Sequence, residues 1–471
     1  MQSVTPNRSA DPVAPQQGLP IEFPCQLFLH CIASMPGFDQ LTSHVPGVDK
    51  YSERALLLAG HEDVVFLNHQ APQDYLRFLN KLSIGPDPSN VLPLPNSTPT
   101  TASVPMTARL ESWLSSARRF PSQLTESDEV WLNHFAASHF DAPLISSLST
   151  NFGRRVRFIN RLPSHINLYD KHQFRQHAED CGLELPPGES VMVNRSDATE
   201  DTRMLPLARA AHKYFGVTGG VIIRGALGAS GSSVFVVGDR GELRKCLSTI
   251  DRQRHTDFYL VEPYYDVVVS PNIGMFIDPR DRQIFCVSIS DQILDERIHH
   301  RGNSYPSQAK FIHPMIATAK SSCEWLRDQG ATGYLGFDFC EYIMPGTNER
   351  NFFFAELNPR FNGATYPAHL FNRLNAQLNH HKISRWHTFR SLTMPTSLSS
   401  FTALQRSCDD LLFDGQRRVG FIPYNVGLLK HGKMMIVMVG ESTRDVASLE
   451  NEISLRLTDT CQARISNKPA A

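Results

Sequence analysis

Two apolar runs, GYLGFDFCEYI (333–343) and NFFFAELN (351–358), flank a turn-like segment containing Pro345 and Gly346. No other feature constrains the fold as tightly, because the pattern predicts an antiparallel hairpin. If the turn is centred on Thr347, Asp338 falls opposite Glu356 and Gly336 opposite Asn358. Directly opposed residues share a face of the hairpin with side chains about 5 Å apart. The other face then carries Leu335, Phe337 and Phe339 against Phe353, Ala355 and Leu357, an apolar core surface. The second strand runs on into Pro359, Arg360 and Gly363, so Glu356, Asn358 and Arg360 share one side of an extended chain. Polarity of that density on a buried face is costly unless a metal or ligand completes it. Two facing carboxylates repel unless one is protonated or a cation lies between them. Asp338, Glu356 and Asn358 offer only hard oxygen ligands, which suits Mg²⁺ sharing its shell with substrate phosphates. The competing reading is a solvated strand end or a surface pair in another register.

The glycine-rich stretch VIIRGALGASGSSVFVV (221–237) reads as strand, turn, strand. Gly228 and Gly231, with Ser230, Ser232 and Ser233, would let backbone N–H groups approach an anion. It matches neither a P-loop nor a dinucleotide fingerprint, since a strand follows it. On its own it could equally be an ordinary hairpin, and Arg224 before it an ordinary surface arginine.

Charge and composition narrow the function class. Lys+Arg 46 against Asp+Glu 47 leaves a net charge of −1, with no basic block, which argues against nucleic acid as the main partner. Nine scattered cysteines form no C-x-x-C pair or zinc spacing and suit reduced thiols in a cytoplasmic protein. No apolar run approaches the roughly 20 residues of a membrane span. Residues 1–20 are polar and proline-rich and read as a disordered tail.

Along the chain, CQLFLHCIA (25–33), DVVFLN (63–68) and RRVRFIN (154–160) read as strands, and ERALLLAG (53–60) and APQDYLRFLNKLSIG (71–85) as helices. PDPSNVLPLPNSTPTTASVP (86–105) reads as a loop, and SDEVWLNHFAASHF (127–140) as a charged helix. DKHQFRQHAEDCGL (170–183) is helical with Asp170 as its cap, FYLVEPYY (258–265) a strand, and IATAKSSCEWLRDQG (316–330) an amphipathic helix. RRVGFIPYNVGLLKHGKMMIVMVG (417–440) predicts two strands, and SLENEISLRL (448–457) a closing helix.

In this order, DKHQF, IIRGALGASGSSV, LVEPYYD, GYLGFDF and FFFAELNPRFNGAT resemble the ATP-grasp superfamily over about residues 150–380. The last of them is similar to the E-x-N-P-R signature of its carboxylate–amine ligases, and the layout is most like the peptide- and amino-acid-joining members of natural-product pathways. The resemblance implies an α/β (α+β) chain: an N-terminal α/β domain (21–150), a two-lobed ATP-grasp region (151–384, its lid lobe at about 200–265) and a C-terminal α/β appendage (385–471). It implies ATP and Mg²⁺ as cofactors, with Mn²⁺ able to substitute, carboxylate and amine substrates such as amino acids or peptides, and a homodimer by family habit.

The same resemblance assigns roles to residues. Lys171 and Arg224 would touch the ATP phosphates, although many members carry lysine where Arg224 stands. Gly228 to Ser233 would close over the β- and γ-phosphates, Glu262 and the backbone from Val261 to Tyr264 would hold adenine, and Asp266 the ribose. Asp338, Glu356 and Asn358 match the magnesium ligands, and Arg360 the arginine that holds the acyl phosphate or substrate carboxylate. DERIHHRGNSYPS (295–307) reads as a polar loop bearing on substrate choice. Arg301 and Asn303 are favoured there because a glycine separates them, with histidines 299 and 300 as proton acceptors. An exposed polar loop is the bland alternative. The chemistry expected is amide or peptide bond formation through an acyl phosphate. The alternatives are an ATP-grasp kinase and a non-catalytic nucleotide-binding regulator.

Overall fold

The computed structural model describes residues 23–30, 46–94, 109–110, 112–114, 121–136, 141–152, 155–178, 183–194, 196, 199–227, 233–253, 256–295, 299–380 and 388–466. The tail expected at residues 1–20 lies outside them. Three sheets follow one another along the chain.

The first is a five-stranded parallel sheet in the order β3-β2-β1-β4-β5. Its strands are β1 (Gln26–Leu29), β2 (Val64–Leu67), β3 (Val91–Pro93), β4 (Glu129–His134) and β5 (Arg155–Phe158). β1 and β2 are almost wholly apolar and buried, as strands covered on both faces must be. Helices α1 (Gln73–Lys81), α2 (Ser122–Glu126) and α3 (Asp141–Phe152) connect or follow them. Two expectations fail here. The 127–140 segment supplies β4, a strand that pairs with both β1 and β5, because Val130, Trp131 and Leu132 are buried and only its first residues are charged. The proline-rich loop contributes β3. The short helix expected at 53–60 is a 3₁₀ helix over Val48–Leu57.

After α4 (Lys171–His177), the second sheet has four antiparallel strands in the order β6-β9-β7-β8. They are β6 (Glu189–Met192), β7 (Val221–Gly225), β8 (Val234–Val237) and β9 (Phe258–Pro263), with α5 (Glu200–Thr218) and α6 (Arg240–Gln253) contributing to the lobe's own core.

The third sheet has nine strands: β10 (Asp266–Val269), β11 (Pro271–Ile277), β12 (Ile284–Asp295), β13 (His299–Tyr305), β14 (Gly333–Ile343), β15 (Arg350–Asn358), β16 (Thr388–Pro395), β17 (Gly420–Tyr424) and β18 (Lys433–Gly440). β14 carries β15 on one edge and β10 followed by β11 on the other. The sheet then continues through β12, β13, β16, β18 and β17. Helices α7 (Ile312–Asp328), α8 (Thr365–His380), α9 (Phe401–Cys408) and α10 (Thr443–Ser466) accompany it. The C-terminal strands thus extend the sheet that holds the hairpin. They also share a core with the first unit, where Tyr75 donates its hydroxyl to the carbonyl of Pro423 (3.1 Å) and packs on Phe401.

Among the described residues, no helix is long and apolar enough to cross a membrane. Cysteines 25, 246, 286, 323, 340 and 408 are free thiols.

A buried histidine makes the fold acid-sensitive. His30, 1% exposed, bonds Tyr366 Oη through Nδ1 (2.9 Å) and Asn133 Oδ1 through Nε2 (3.2 Å). Burial, aided by His134 and Arg54 against the Asn133 bond, pushes it from its usual value down to about 3. The unfolded chain takes up this proton near pH 6.5 and the folded chain does not, so stability is full above that pH and falls as the solution is acidified. From pH 7 to 5 the expected loss at this site is about 2 kcal/mol. Denaturant midpoints at the two pH values should show it, and His30→Gln should remove that share of the dependence.

Candidate active site

The hairpin of β14 and β15 forms the floor of the site, and its register is the one that the spacing predicts where it matters. Asp338 pairs with Glu356, and Gly336 with Asn358. Towards the turn the register slips by one, with Phe339 opposite Phe354, so Ala355 is the extra residue of a bulge. The core face therefore carries Phe354 and Phe352 rather than Phe353 and Ala355, and Phe353 packs tilted against Tyr265 and Tyr342 on the other side. The bulge also frees the carbonyl of Ala355, which accepts from Arg224 Nη1 at 3.0 Å.

The carboxylates sit in a network that pulls their protons apart. Asp338 accepts from Asn272 Nδ2 (2.6 Å) and Asn358 Nδ2 (2.9 Å). Its carboxyl is nonetheless raised to about 7, first by burial and then by the charge of Glu356. Burial also pushes Glu356 up, but Lys171, Arg360 and Arg224 outweigh it and hold the group below its usual range. Lys171 Nζ lies 3.4 Å from Glu356 Oε1. The pair thus amounts to one settled carboxylate beside one reluctant to ionise, an arrangement that a divalent cation relieves. The buried Asn272 Oδ1 has no partner among the described residues, so the donor set suits an oxygen-seeking ion. No group of three His, Cys, Asp or Glu gathers in metal-binding fashion among the described residues, so any shell here is two carboxylates and an amide.

Neighbouring elements aim cations at this floor. Asp170 caps α4 as expected, accepting from His172 N and Gln173 N. The backbone N–H of Lys171 bonds Ala226 O (2.9 Å), which ties the helix to the end of β7. Arg360 follows β15 directly, with Nη1 on the carbonyl of Phe361 (3.3 Å) and the guanidinium 5.8 Å from the Phe135 ring. Its Nε is buried with no partner among the described residues. Next, Asn362 caps α8, its Oδ1 accepting from Ala364 N (3.0 Å), Thr365 N (3.1 Å) and Thr365 Oγ1 (3.0 Å). Gly336 is required under it, since a Cβ there would collide with Asn362 Nδ2.

A cleft is lined by Asp338, Glu356, Asn358 and Arg360 together with Asn272, Gln292, His300, Asn303, Asn362 and Gly363. A second, narrower cavity shares Glu356 with it. Its walls are Leu168, Phe174, Leu185, Leu260 and Leu357, and Lys171, Arg175 and Arg224 line it as well.

Other expected residues stand elsewhere. Arg224 donates Nε and Nη2 to Glu262 Oε2 (3.0 and 2.7 Å), and Arg175 donates Nη1 to Glu262 Oε1 (2.9 Å). The carboxylate of Glu262 is therefore committed to two arginines rather than left open for a base. Val261 is wholly buried between β6 and β7, and Tyr264 N donates to Gly220 O (3.0 Å). Asp266 is exposed opposite Ile343, about 16 Å along β14 from Asp338, and lines neither cavity. Gly228, Ser230, Gly231 and Ser232 lie outside the described residues. Ser233 closes the base of the β7–β8 hairpin, its Oγ donating to Leu227 O (3.2 Å).

The 295–307 segment is no loop but largely a strand, β13, and a bulge decides which of its side chains face the cleft. Leu294 pairs with His300 and Ile293 with Gly302, leaving Arg301 as the extra residue. Arg301 consequently turns outward to Asp295 (3.4 Å), while His300 and Asn303 line the cleft. The glycine between them had favoured Arg301 with Asn303, and the bulge puts His300 in the cleft instead. Asn303 is fully buried, with Oδ1 bonded to His300 Nε2 (2.9 Å) and Nδ2 donating to Ser290 Oγ (3.3 Å). Burial, then Arg54 and Arg360, hold His300 below its usual range. Asn272, Gln292 and Asn362 were not foreseen. The one available signal was an asparagine interrupting the apolar run VVVSPNIGMFI.

No family model matches the chain, and neither does any curated protein. Solved structures do match it. N5-carboxyaminoimidazole synthetase from Staphylococcus aureus, complexed with ADP, superimposes with a TM-score of 0.50 at 10% identity, covering 93% of this chain and 98% of that one. Biotin carboxylase from Campylobacter jejuni, in a β,γ-ATP complex, gives 0.51 at 13% identity, covering 93% and 91%. The fold is ATP-grasp. The hairpin floor lies on the nine-stranded sheet, the largest of the three.

Proposed function

We propose that this chain is an ATP-dependent carboxylate–amine ligase that forms an amide or peptide bond through an acyl phosphate, with amino acids or peptides as substrates. One observation carries the reading. Asp338, Glu356 and Asn358 converge on one face of the hairpin, flanked by Lys171 on one side and on the other by Arg360, an arginine with no ion-pair partner among the described residues. A nucleotide would enter through the narrower cavity, its base among Leu185, Leu260 and Leu357 and its phosphates towards Lys171 and Glu356. Arg224 then serves the nucleotide site by ordering Glu262 and the bulge at Ala355.

In the first step an oxygen of the substrate carboxylate attacks the γ-phosphorus of ATP, and ADP leaves. In the second the amine attacks the acyl carbon, a tetrahedral intermediate forms, and phosphate departs. Asp338, Glu356 and Asn358 would hold Mg²⁺, which when bound neutralises charge on the transferring phosphoryl group. Lys171 would hold phosphate oxygens in place, and Arg360 would bind the acyl phosphate and the oxyanion that follows it. The backbone N–H groups where α8 begins add positive potential on the same side of the cleft. His300, kept neutral, is positioned to take the proton that the amine sheds.

The test is ADP and phosphate release by the purified protein with ATP and Mg²⁺, across amino acids and dipeptides singly and in pairs. Release that requires both a carboxylate and an amine, with one amide formed per ADP, is the expected result. A stable phosphorylated acceptor formed without an amine would replace the ligase with a kinase.

A further inference from the structure

The β12–β13 wall of the cleft is organised around one imidazole. The bulge that turns Arg301 outward brings His300 to the same face as Asn303. Gly302 between them is required, since a Cβ there would collide with the carbonyl oxygen of Ser391 on β16. Gly363 is required in the same sense, because a Cβ would come within 2.7 Å of His300 Cε1. The ring is thus seated against backbone at Cε1 and open to solvent on the cleft side.

Asn303 supplies the remaining constraint. It is fully buried, and its carboxamide is engaged twice. Nδ2 donates to Ser290 Oγ (3.3 Å), and Oδ1 faces His300 Nε2 (2.9 Å). Its backbone N–H donates to Ser391 Oγ (3.1 Å), so the residue is held at both ends. A carboxamide oxygen accepts and never donates, so the proton in the bond to His300 belongs to Nε2. A neutral imidazole carries one ring proton, which leaves Nδ1 bare. Burial among the cleft residues, against the pull of the Asn303 bond, holds the ring below its usual range and so neutral. Nδ1 itself has no hydrogen-bond partner among the described residues.

We propose that Asn303 is a positioning residue that fixes His300 in the tautomer with its proton on Nε2, which makes Nδ1 the atom that receives a proton in the cleft. This rests on the ligase reading for the origin of that proton. As the amine nitrogen bonds to the acyl carbon it becomes positively charged, and it passes one proton to Nδ1. The carbonyl re-forms, the bond from carbon to the phosphate oxygen breaks, and phosphate leaves with its electron pair. The imidazolium keeps Nε2–H on Asn303 Oδ1 throughout, a bond that strengthens as the ring gains charge. The charge of Arg360 disfavours the imidazolium and speeds return of the proton to water. A carboxamide suits this task better than a carboxylate, which would stabilise the charged ring and retain its proton.

The experiment records long-range nitrogen–proton NMR spectra of protein labelled at its histidine nitrogens, with the His300 signals assigned by their loss in His300→Gln. Wild type, at a pH where the ring is neutral, should show a protonated Nε2 and a bare Nδ1. Asn303→Asp keeps an oxygen on Nε2 and should keep that pattern. Asn303→Leu fills the same space without an acceptor, and its ring proton should divide between the two nitrogens. In that variant kcat for amide formation should fall roughly ten- to a hundredfold, with the KM for ATP unchanged and ADP accumulating in excess of amide. Should Asn303→Leu fail to bind ADP and so to fold, Asn303→Ala removes the acceptor without adding bulk. A wild type with its proton on Nδ1, a tautomer indifferent to loss of the Asn303 side chain, or amide formation as fast without it would overturn the proposal. The two readings fail differently. The expected tautomer with no ADP release from any pair of substrates removes the ligase and leaves the positioning of His300. One amide per ADP from a protein whose His300 proton sits on Nδ1 keeps the ligase and removes Asn303 from it.

Discussion

Replacing Glu356 by glutamine is expected to lower substrate-dependent ADP release by about a thousandfold or more, the scale of a lost charge at a phosphoryl-transfer centre. The substitution keeps the shape of the side chain and removes one negative charge from the pair with Asp338. Three cations now hold that carboxylate ionised, Lys171 at 3.4 Å foremost. Without it, Lys171 loses its ion-pair partner on the hairpin and the donor set keeps a single carboxylate, Asp338, which burial still pushes up once the charge of Glu356 is gone. The fold should tolerate the change, since two facing carboxylates no longer repel each other. Thermal unfolding without ligand should therefore match the wild type, while the shift that Mg²⁺·ATP produces in the wild type should shrink or vanish. Turnover above a tenth of wild type would remove Glu356 from the chemistry, and with it the argument from the hairpin. Loss of folding in the absence of ligand would instead make its pairing with Lys171 structural.

The hairpin was legible because its polar and apolar residues alternate on both strands, and only one register buries the apolar set. The bulge at Ala355 was not legible. Three consecutive phenylalanines leave no polar residue to mark a face, so Phe352–Phe354 fit either side until the neighbouring aromatic rings choose. The bulge at Arg301 was hidden for a related reason, since β13 is polar throughout and its alternation carries no hydrophobic signal. Its polar residues belong to a strand because one of its faces is the wall of a cleft. β4 was misread as a helix because Asp128 and Glu129 introduce it, and the buried Asn133 and His134 end it. Glu262 shows another limit of motif reasoning. The strand that carries it was read correctly, but a buried carboxylate takes whatever cations lie near, and Arg175 on α4 was not visible from the motif. Asp266 was separated from the site by the length of β14, which no local pattern measures.

Arg360→Lys is expected to cut kcat/KM for the carboxylate substrate by about a hundredfold and to uncouple ADP release from amide formation. The wild-type guanidinium is anchored on one side only, through Nη1 to Phe361 O and by the face of Phe135, and its buried Nε has no partner among the described residues. A planar fork held in this way presents two parallel donors to one phosphate or carboxylate, which a lysine cannot reproduce. With lysine the positive charge remains, so activation of the carboxylate should continue at a reduced rate. The acyl phosphate would then be held less firmly and exposed longer to water. Its hydrolysis returns the free carboxylate, so ADP should accumulate in excess of amide, whereas the wild type forms one for one. The KM for ATP should be unchanged, because Lys171 and the apolar slot lie on the other side of Glu356. Measuring ADP and amide in the same reaction decides the matter. Coupling that stays one to one, or an ATP KM that rises with the loss of rate, would move Arg360 from the acyl phosphate to the nucleotide and leave the second step without its cation.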